Sequence, residues 1–299
     1  MTSNSYKISR KVLSVAPYIL LTIMLGLSML PLISMLGISF RTDETIWATR
    51  GIFPPEPSIE FYRRVLSDAR IIRYFGNSFY VALITSAVSL VLALLGGYAM
   101  ARFKRKVPGI RFFVLFILMI QMFPTIQMII PLFLNFVQLG IMNTWYTLLI
   151  AYPAFTLPMS LMMMQSFIEG IPNDIEEAGR IDGCNRFQVI TKLVLPIAKP
   201  GIASVMILAF NHAWNEFLIA LLLIRTDGYR TIPIGLHNFV QENHTDWGAI
   251  MAASTLMVIP VLLFLNIRKR KKKKRLYKEV QIGYSQERPR KRRYLKLRE

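Results

Sequence analysis

The chain has 299 residues, of which 54% are hydrophobic and only 18% are charged, and its mean hydropathy is +0.42. A soluble chain of this size carries about 25% charged residues, so the composition excludes an ordinary soluble domain and indicates a membrane protein. The net charge of +19 does not indicate a nucleic-acid partner, because residues 268–299 alone hold sixteen basic and three acidic residues.

Six apolar runs are long enough to cross a membrane, since about 20 apolar residues span roughly 30 Å of hydrocarbon. They lie at 13–40, 76–101, 110–138, 143–168, 201–224 and 248–267. The first run is too long for a signal peptide and lacks a clear small-residue cleavage site, so we expect it to be retained. Prolines within the third, fourth and sixth runs predict kinks. The sequence therefore predicts an all-α polytopic membrane protein with six transmembrane helices.

Basic residues in the short loops predict the orientation of these helices. Residues 102–111 carry five Lys and Arg, residues 169–200 carry four, and the N-terminal arm carries three. The loop after the third run carries none, and the six basic residues of 41–75 are diluted by five acidic ones. Both termini and the loop 169–200 are therefore predicted to be cytoplasmic.

These patterns divide the chain into four parts. A cytoplasmic arm (1–12) is followed by the first transmembrane helix with its outer loop (13–75), a five-helix core (76–267) and a basic cytoplasmic tail (268–299). Within the outer loop, the amphipathic stretch Ser58–Arg73 predicts an interfacial helix lying on the membrane. The tail is predicted to be disordered and attracted to anionic lipid.

The cytoplasmic loop 169–200 contains the signals of two short helices. Asn173 is placed to cap the first, with Glu176 at the spacing of a capping box. Gly183 is predicted to end that helix in a left-handed turn. Asn185 with Gln188 repeats the start signal. Pro196 and Pro200 are then expected to stop the second helix, and the lone Cys184 between the helices is interpreted as a small turn residue.

Residues Glu177-Ala178-Gly179, then Gly183, then Leu193 to Pro196 resemble the cytoplasmic coupling motif of ABC importer permeases. That motif reads Glu-Ala-Ala, a few residues, Gly, nine residues and Ile-x-Leu-Pro, so Gly179 and Leu193 are mild departures. The resemblance implies the type I ABC importer permease fold and a short helix that docks into a groove on an ATPase subunit. It also implies that the outer loop 41–75 caps the outer mouth, which is compatible with an interfacial helix. The ATPase-coupling residues it implies are Glu176, Glu177, Ala178, Gly179, Asp182, Gly183, Leu195 and Pro196.

Each of these residues has an expected role. Glu176 and Glu177 are expected to make polar contacts to the ATPase, and Ala178 permits its close approach. Gly183 makes the bend. Leu195 and Pro196 are expected to lock the following helix onto the bundle.

Polar residues interrupt the fifth predicted span. At 100° per residue, Asn211, His212, Asn215 and Glu216 fall within about 140° of one helical face. An acid at mid-bilayer costs about 2.5–3.5 kcal/mol, so this face is not expected to contact lipid. The face is expected to lie in the bundle interior, at a subunit interface or on an aqueous translocation path. Two interpretations have equal weight, namely contact with the solute and hydrogen bonds that hold helices together.

The solute class is indicated by further resemblance. Trp214-Asn215-Glu216-Phe217, Phe123-Pro124 and Leu139–Thr144 resemble patterns of sugar-importer permeases of the maltose type. This implies transport of a sugar or an oligosaccharide such as a maltodextrin, with a second permease subunit, ATPase subunits and an extracytoplasmic solute-binding protein that faces the loop 225–247. The localisation implied is the cytoplasmic membrane of a prokaryote.

The sequence lacks the phosphate-binding loop Gly-x-x-x-x-Gly-Lys-Ser/Thr, so ATP and Mg are expected on the partner ATPase and no cofactor is expected in this chain. No hydrolase motif is present, and an enzyme is not predicted. His237 and His244 fit no zinc spacing. The alternatives are an importer permease for another solute, such as glycerol phosphate, and an ion-coupled secondary transporter.

Overall fold

The computed structural model describes residues 3–48, 51–104, 107–240 and 245–264. Over these ranges the regular elements are helices, with one isolated antiparallel bridge between Val240 and Thr245. The helices are α1 (Ser3–Ser39), α2 (Thr45–Ala48), α3 (Glu60–Ser67), α4 (Ala69–Phe103), α5 (Pro108–Met122), α6 (Thr125–Gln138), α7 (Trp145–Glu169), α8 (Asn173–Ile181), α9 (Arg186–Gln188), α10 (Leu195–Asn215), α11 (Leu218–Leu223), α12 (Ile232–His237) and α13 (Trp247–Phe264). The all-α prediction is confirmed.

Five helical runs are long and apolar enough to cross a membrane, and the number is six if one bent pair counts as a single span. That pair is α5 and α6, which the sequence predicted as one run over 110–138. It bends by 98° between Met122 and Thr125. The cause is Pro124, because a residue before proline is disfavoured in helical geometry and Phe123 is extended, with ψ 125°.

The fifth predicted span has different bounds in the structure. One helical run extends from Arg186 to Asn215, so Pro196 and Pro200 do not stop a helix as predicted. The run passes through a π-helical turn at Val189–Val194, where Leu195 N bonds to the Ile190 carbonyl five residues back. We attribute the continuity to this wider turn together with the position of Pro196 in the first turn of α10, where a missing N–H is tolerated.

The described residues form two compact units. The first comprises residues up to 72 together with 235–259. In it, α3 buries Phe61 and Val65, and a Cβ added to Gly248 would lie about 2 Å from the Phe61 ring. Phe61 and Val65 of α3 therefore pack on protein rather than on lipid. The placement of Ser58–Arg73 on the membrane surface stays a prediction.

Arg64 joins three acidic side chains in this first unit. It pairs with Asp43 at 2.5 Å, Asp246 at 2.9 Å and Glu60 at 3.0 Å. The hydrogen bond to Asp43, with the contribution of Asp246, raises the pKa of the Arg64 guanidinium above its ordinary value. The ionic network holds the outer loop against the start of α13.

Among the described residues, the second unit contains 73–234, without the gap at 105–106, and 260–264. Its central helix is α7, which is apolar around its circumference and has over half of its span buried. Helix α10 packs closely on α7, since a Cβ added to Gly201 would lie 2.5 Å from Cγ of Phe167. This packing positions the polar segment at 171–188, which connects the two helices.

Candidate functional site

The polar segment between α7 and α10 begins with α8. Its first residue is Asn173, and the residue before it, Pro172, makes no side-chain cap. Asn173 is therefore not the N-cap, and the predicted capping box with Glu176 does not form. The helix start instead has Asp174 and Glu176 in its first turn, where the positive end of the dipole stabilises acids.

The turn after α8 follows the prediction. Gly183 has φ +87°, a left-handed conformation that favours glycine. Cys184 N then donates to the Gly179 carbonyl at 2.9 Å. Asn185 and Gln188 form a reciprocal capping box with distances of 2.9 and 3.0 Å. The turn and the second helix start are thus confirmed, and they set the angle between α8 and α9.

The two adjacent glutamates of α8 have opposite environments. Glu176 is 3% exposed and bonds within the chain to Arg102 and Tyr98. Glu177 is exposed. The expectation that both reach a partner is therefore corrected for Glu176, whose carboxylate lies inside the unit.

An exposed face of mixed polarity covers α8 and the turn after it. Glu177, Ala178 and Asp182 are exposed, and between them Ile181 is 86% exposed while Phe187 is 74% exposed. We call these five residues the elbow face. Ile181 and Phe187 were not predicted from the sequence, although Ile181 lies three and four residues after Ala178 and Glu177 and so shares their side of the helix.

The start of α10 is held by other residues than predicted. Pro196 is exposed and Leu195 is only half-buried. Val194 and Ala198 are instead buried, in a cluster with Ile171 and Val189. The apolar contacts that hold the start of α10 are therefore made by Val194 and Ala198 rather than by Leu195 and Pro196.

The polar residues near the end of α10 separate into two groups. Asn211, His212 and Asn215 are exposed on the helix, and Asn215 Nδ2 donates to the carbonyl and to Oδ1 of Asn211 at 2.8 and 3.0 Å. Glu216 is extended, with ψ 128°, so it is not on the same helical face as predicted. Its carboxylate accepts the backbone N–H groups of Ile219 and Ala220 and so caps α11.

Four amide side chains lie on α5 and α6, on both sides of the break at Pro124. All four are exposed within apolar helices, and they are Gln121, Gln127, Asn135 and Gln138. Gln121 Nε2 donates to Sδ of Met162 at 3.6 Å. Uncovered amides in membrane-spanning helices favour contact with water or a partner rather than lipid.

The loop 225–232 is braced from two sides. Asn143, with φ 59°, accepts the N–H groups of Arg225 and Thr226 at 2.6 and 3.3 Å through its side-chain oxygen. Asn77 Nδ2 donates to the carbonyls of Gly228 and Arg230, each at 2.9 Å. This bracing presents the loop as a fixed surface. Among the residues that the structure describes, no cluster fit for a metal is found, and His244 lies outside them.

Comparison with known proteins places this geometry in a family context. Residues 89–271, more than half of the chain, match the family described as binding-protein-dependent transport system inner membrane component. The sulfoquinovosyl glycerol transport system permease protein of Agrobacterium fabrum is 33% identical over 252 residues, which are 84% of this chain and 87% of the relative. The trehalose/maltose transport system permease protein of Thermococcus litoralis is 33% identical over 86% of this chain and 91% of its own.

Two solved structures share the fold. A bacterial ABC transporter that imports the acidic polysaccharide alginate has a chain that matches with a TM-score of 0.73 at 23% identity, covering 88% of this chain and 97% of that one. An alginate ABC transporter in complex with an alginate pentasaccharide-bound periplasmic protein matches with a TM-score of 0.64 at 16% identity, covering 88% and 94%. The fold of this chain is thus that of an ABC importer permease.

Proposed function

The chain belongs to the family of binding-protein-dependent transport system inner membrane components, a multi-pass membrane family, and we propose that it is the permease subunit of an ATP-driven carbohydrate importer. The solute is a sugar or an oligosaccharide. The subunit itself is not catalytic. ATP and Mg bind to separate ATPase subunits, whose closure moves the permease between inward-facing and outward-facing states.

The observation that carries the ATPase assignment is the elbow face. It combines an exposed carboxylate, a small residue and two large apolar side chains, Ile181 and Phe187, which the described residues of this chain leave uncovered. A small polar-rimmed apolar surface of this kind fits a protein groove. We therefore name α8 the coupling helix and place it, with both chain termini, in the cytoplasm.

The carbohydrate assignment is supported by the exposed side chains of Asn211, His212 and Asn215 at the end of α10. Amide and imidazole groups donate and accept hydrogen bonds, which is the chemistry that sugar hydroxyl groups require. The names of the relatives above also refer to glycosides and disaccharides. We place these three residues on the translocation path. Glu216 fixes the bend between α10 and α11 next to them.

Further partners follow from surfaces that this chain leaves open. Within Pro17–Ser39 of α1, an apolar window of 18 residues has no residue buried by the described part of the chain. A second, related permease subunit and membrane lipid are proposed to cover it. The braced loop 225–232 is proposed to face the solute-binding protein. The assembly proposed is a heterodimer of two permease subunits.

The first test is purification of the tagged chain from native membranes with mass spectrometry of its companions. An ATPase and a second permease are expected. Uptake into proteoliposomes of that complex, with the binding protein added, is then measured with radiolabelled trehalose, maltose and glycerol 3-phosphate. The proposal requires ATP-dependent uptake of a carbohydrate.

The coupling residue itself is tested by Glu177→Lys, with Asp174→Lys on the same helix as the matched control. The first variant is expected to insert normally and lose uptake, whereas the second retains it. Uptake that continues without ATP and collapses with the membrane potential would overturn the proposal in favour of ion-coupled transport.

A further inference from the structure

A buried ion pair ties the coupling helix to the cytoplasmic end of α4. The Glu176 carboxylate accepts hydrogen bonds from Arg102 Nε at 2.6 Å and from the Tyr98 hydroxyl at 2.7 Å. A second guanidinium nitrogen of Arg102 donates to the Ile171 carbonyl at 3.0 Å. Arg102 therefore holds both the first turn of the coupling helix and the chain that leads into it.

The two partners of Glu176 are four residues apart on α4, so they share one face of that helix. The side chains of Arg102 and Glu176 are 11% and 4% exposed. Tyr98 also packs on the apolar cluster of Ile171 and Val189. The hydrogen bonds of this group are thus shielded from water on several sides, which strengthens them and makes their geometry restrictive.

A buried ion pair adds little net stability over apolar residues of similar volume. Its hydrogen bonds form in one relative position of the two partners, and other positions leave a buried charge unpaired at a cost in free energy. In this chain those partners are a long membrane span and a short helix with an exposed outer face. The coupling helix also contacts the segment that follows it, where Gly179 packs on Leu193, and its Ile175 packs on the cluster of Ile171 and Ala198.

We propose that Glu176, Arg102 and Tyr98 form a latch that makes α4 move together with the coupling helix when the ATPase displaces it. This inference rests on the proposed function. Glu176 is then a positioning residue that acts within the chain, whereas its neighbour Glu177 faces the ATPase. Without the latch, the coupling helix still docks, but its displacement reaches α4 incompletely.

The test measures one distance in the assembled complex of the full chain with its ATPase subunits. Cys184→Ser removes the single cysteine, and spin labels are placed at Arg73→Cys, at the outer end of α4, and at Asp174→Cys, at the start of the coupling helix. Both positions are exposed. Double electron–electron resonance records the distance distribution without nucleotide and with ATP and vanadate.

With the latch intact, the distribution is expected to be the same in both states, because the two labelled elements move as one body. In Glu176→Gln it is expected to shift between the states. The reversed pair, Arg102→Glu with Glu176→Arg, is expected to restore a single distribution. A shift in the unmutated latch, or none in Glu176→Gln, would overturn the inference.

Two further variants cover the case in which Glu176→Gln does not accumulate in the membrane. Tyr98→Phe removes one hydrogen bond and no charge. Arg102→Lys keeps the charge but loses the planar guanidinium that donates to both Glu176 and the Ile171 carbonyl. Both are expected to give a smaller shift, and no shift in either overturns the latch. Co-purification of the ATPase is followed separately, since its absence with the unmutated latch contradicts the proposed function and not the latch.

Discussion

Gly179 and Leu193, the two positions at which the chain departs from the coupling motif, are in direct contact. A Cβ added to Gly179 would lie 2.3 Å from Cδ1 of Leu193 and 3.7 Å from Cγ2 of Val189. Gly179 is a buried residue of the coupling helix, and its contacts Leu193 and Val189 belong to the π-helical turn. The γ-branched side chain of Leu193 thus occupies the space that a Cβ at position 179 would need.

This contact predicts that the two positions are coupled energetically. Gly76 lies in a helix with open space around it, so Gly76→Ala is expected to stabilise the protein by about 0.5–1 kcal/mol through helix propensity. Gly179→Ala is expected to gain less, because the Leu193 methyl group must move. Adding Leu193→Val should recover part of the difference, with a coupling of about 0.5 kcal/mol or more in thermal unfolding of the purified protein. Strictly additive changes would contradict the contact.

The left-handed turn at Gly183 predicts a second effect. No atom lies within 4 Å of an added Cβ there, so Gly183→Ala tests the backbone alone and is expected to cost about 1–2 kcal/mol. Gly183→Pro cannot adopt φ +87° at all, and it is expected to insert into the membrane yet abolish uptake. Gly170→Ala, at φ −70°, is the control and should retain uptake. Normal uptake by Gly183→Pro would show that the bend is dispensable.

Much of the structure of the segment 171–188 could be predicted from local sequence signals. Gly183, Asn185 and Gln188 act through the backbone within four residues, and turn chemistry of that range is readable from a single chain. The burial of Glu176 was not readable, because its partner Arg102 is 74 residues away. The helix through Pro196 was missed for a similar reason, since the π-helical turn that precedes it has no pattern of its own in the sequence.

A charge introduced at an exposed apolar residue of the elbow face is expected to prevent assembly with the ATPase without preventing folding. Ile181→Asp is expected to leave the thermal stability of the isolated chain within about 0.5 kcal/mol, because surface substitutions have small effects. The same variant should lose most of the co-purified ATPase, since it places a charge in a desolvated contact. Leu66→Asp, an exposed apolar residue of α3, is the matched control. Equal recovery of the ATPase in both variants would remove Ile181 from the contact.

The bracing by Asn143 predicts a change in loop dynamics. Asn143→Gly keeps the positive φ and removes the acceptor for Arg225 and Thr226 N–H. Hydrogen–deuterium exchange of those two amides should increase, by about tenfold if the bond contributes about 1.4 kcal/mol to the local opening. Exchange at Gly201, inside α10, serves as the internal reference. Unchanged exchange at residues 225 and 226 would mean that other contacts hold the loop.

The elbow face is proposed to lie in the cytoplasm and to dock on an ATPase. Both parts of this proposal are tested with Ala178→Cys in the Cys184→Ser background, labelled with a membrane-impermeant maleimide. We expect no labelling in intact cells, rapid labelling in inside-out vesicles stripped of ATPase, and protection when the ATPase subunits are returned. Labelling from outside the cell, or labelling in vesicles that the ATPase does not slow, would contradict it.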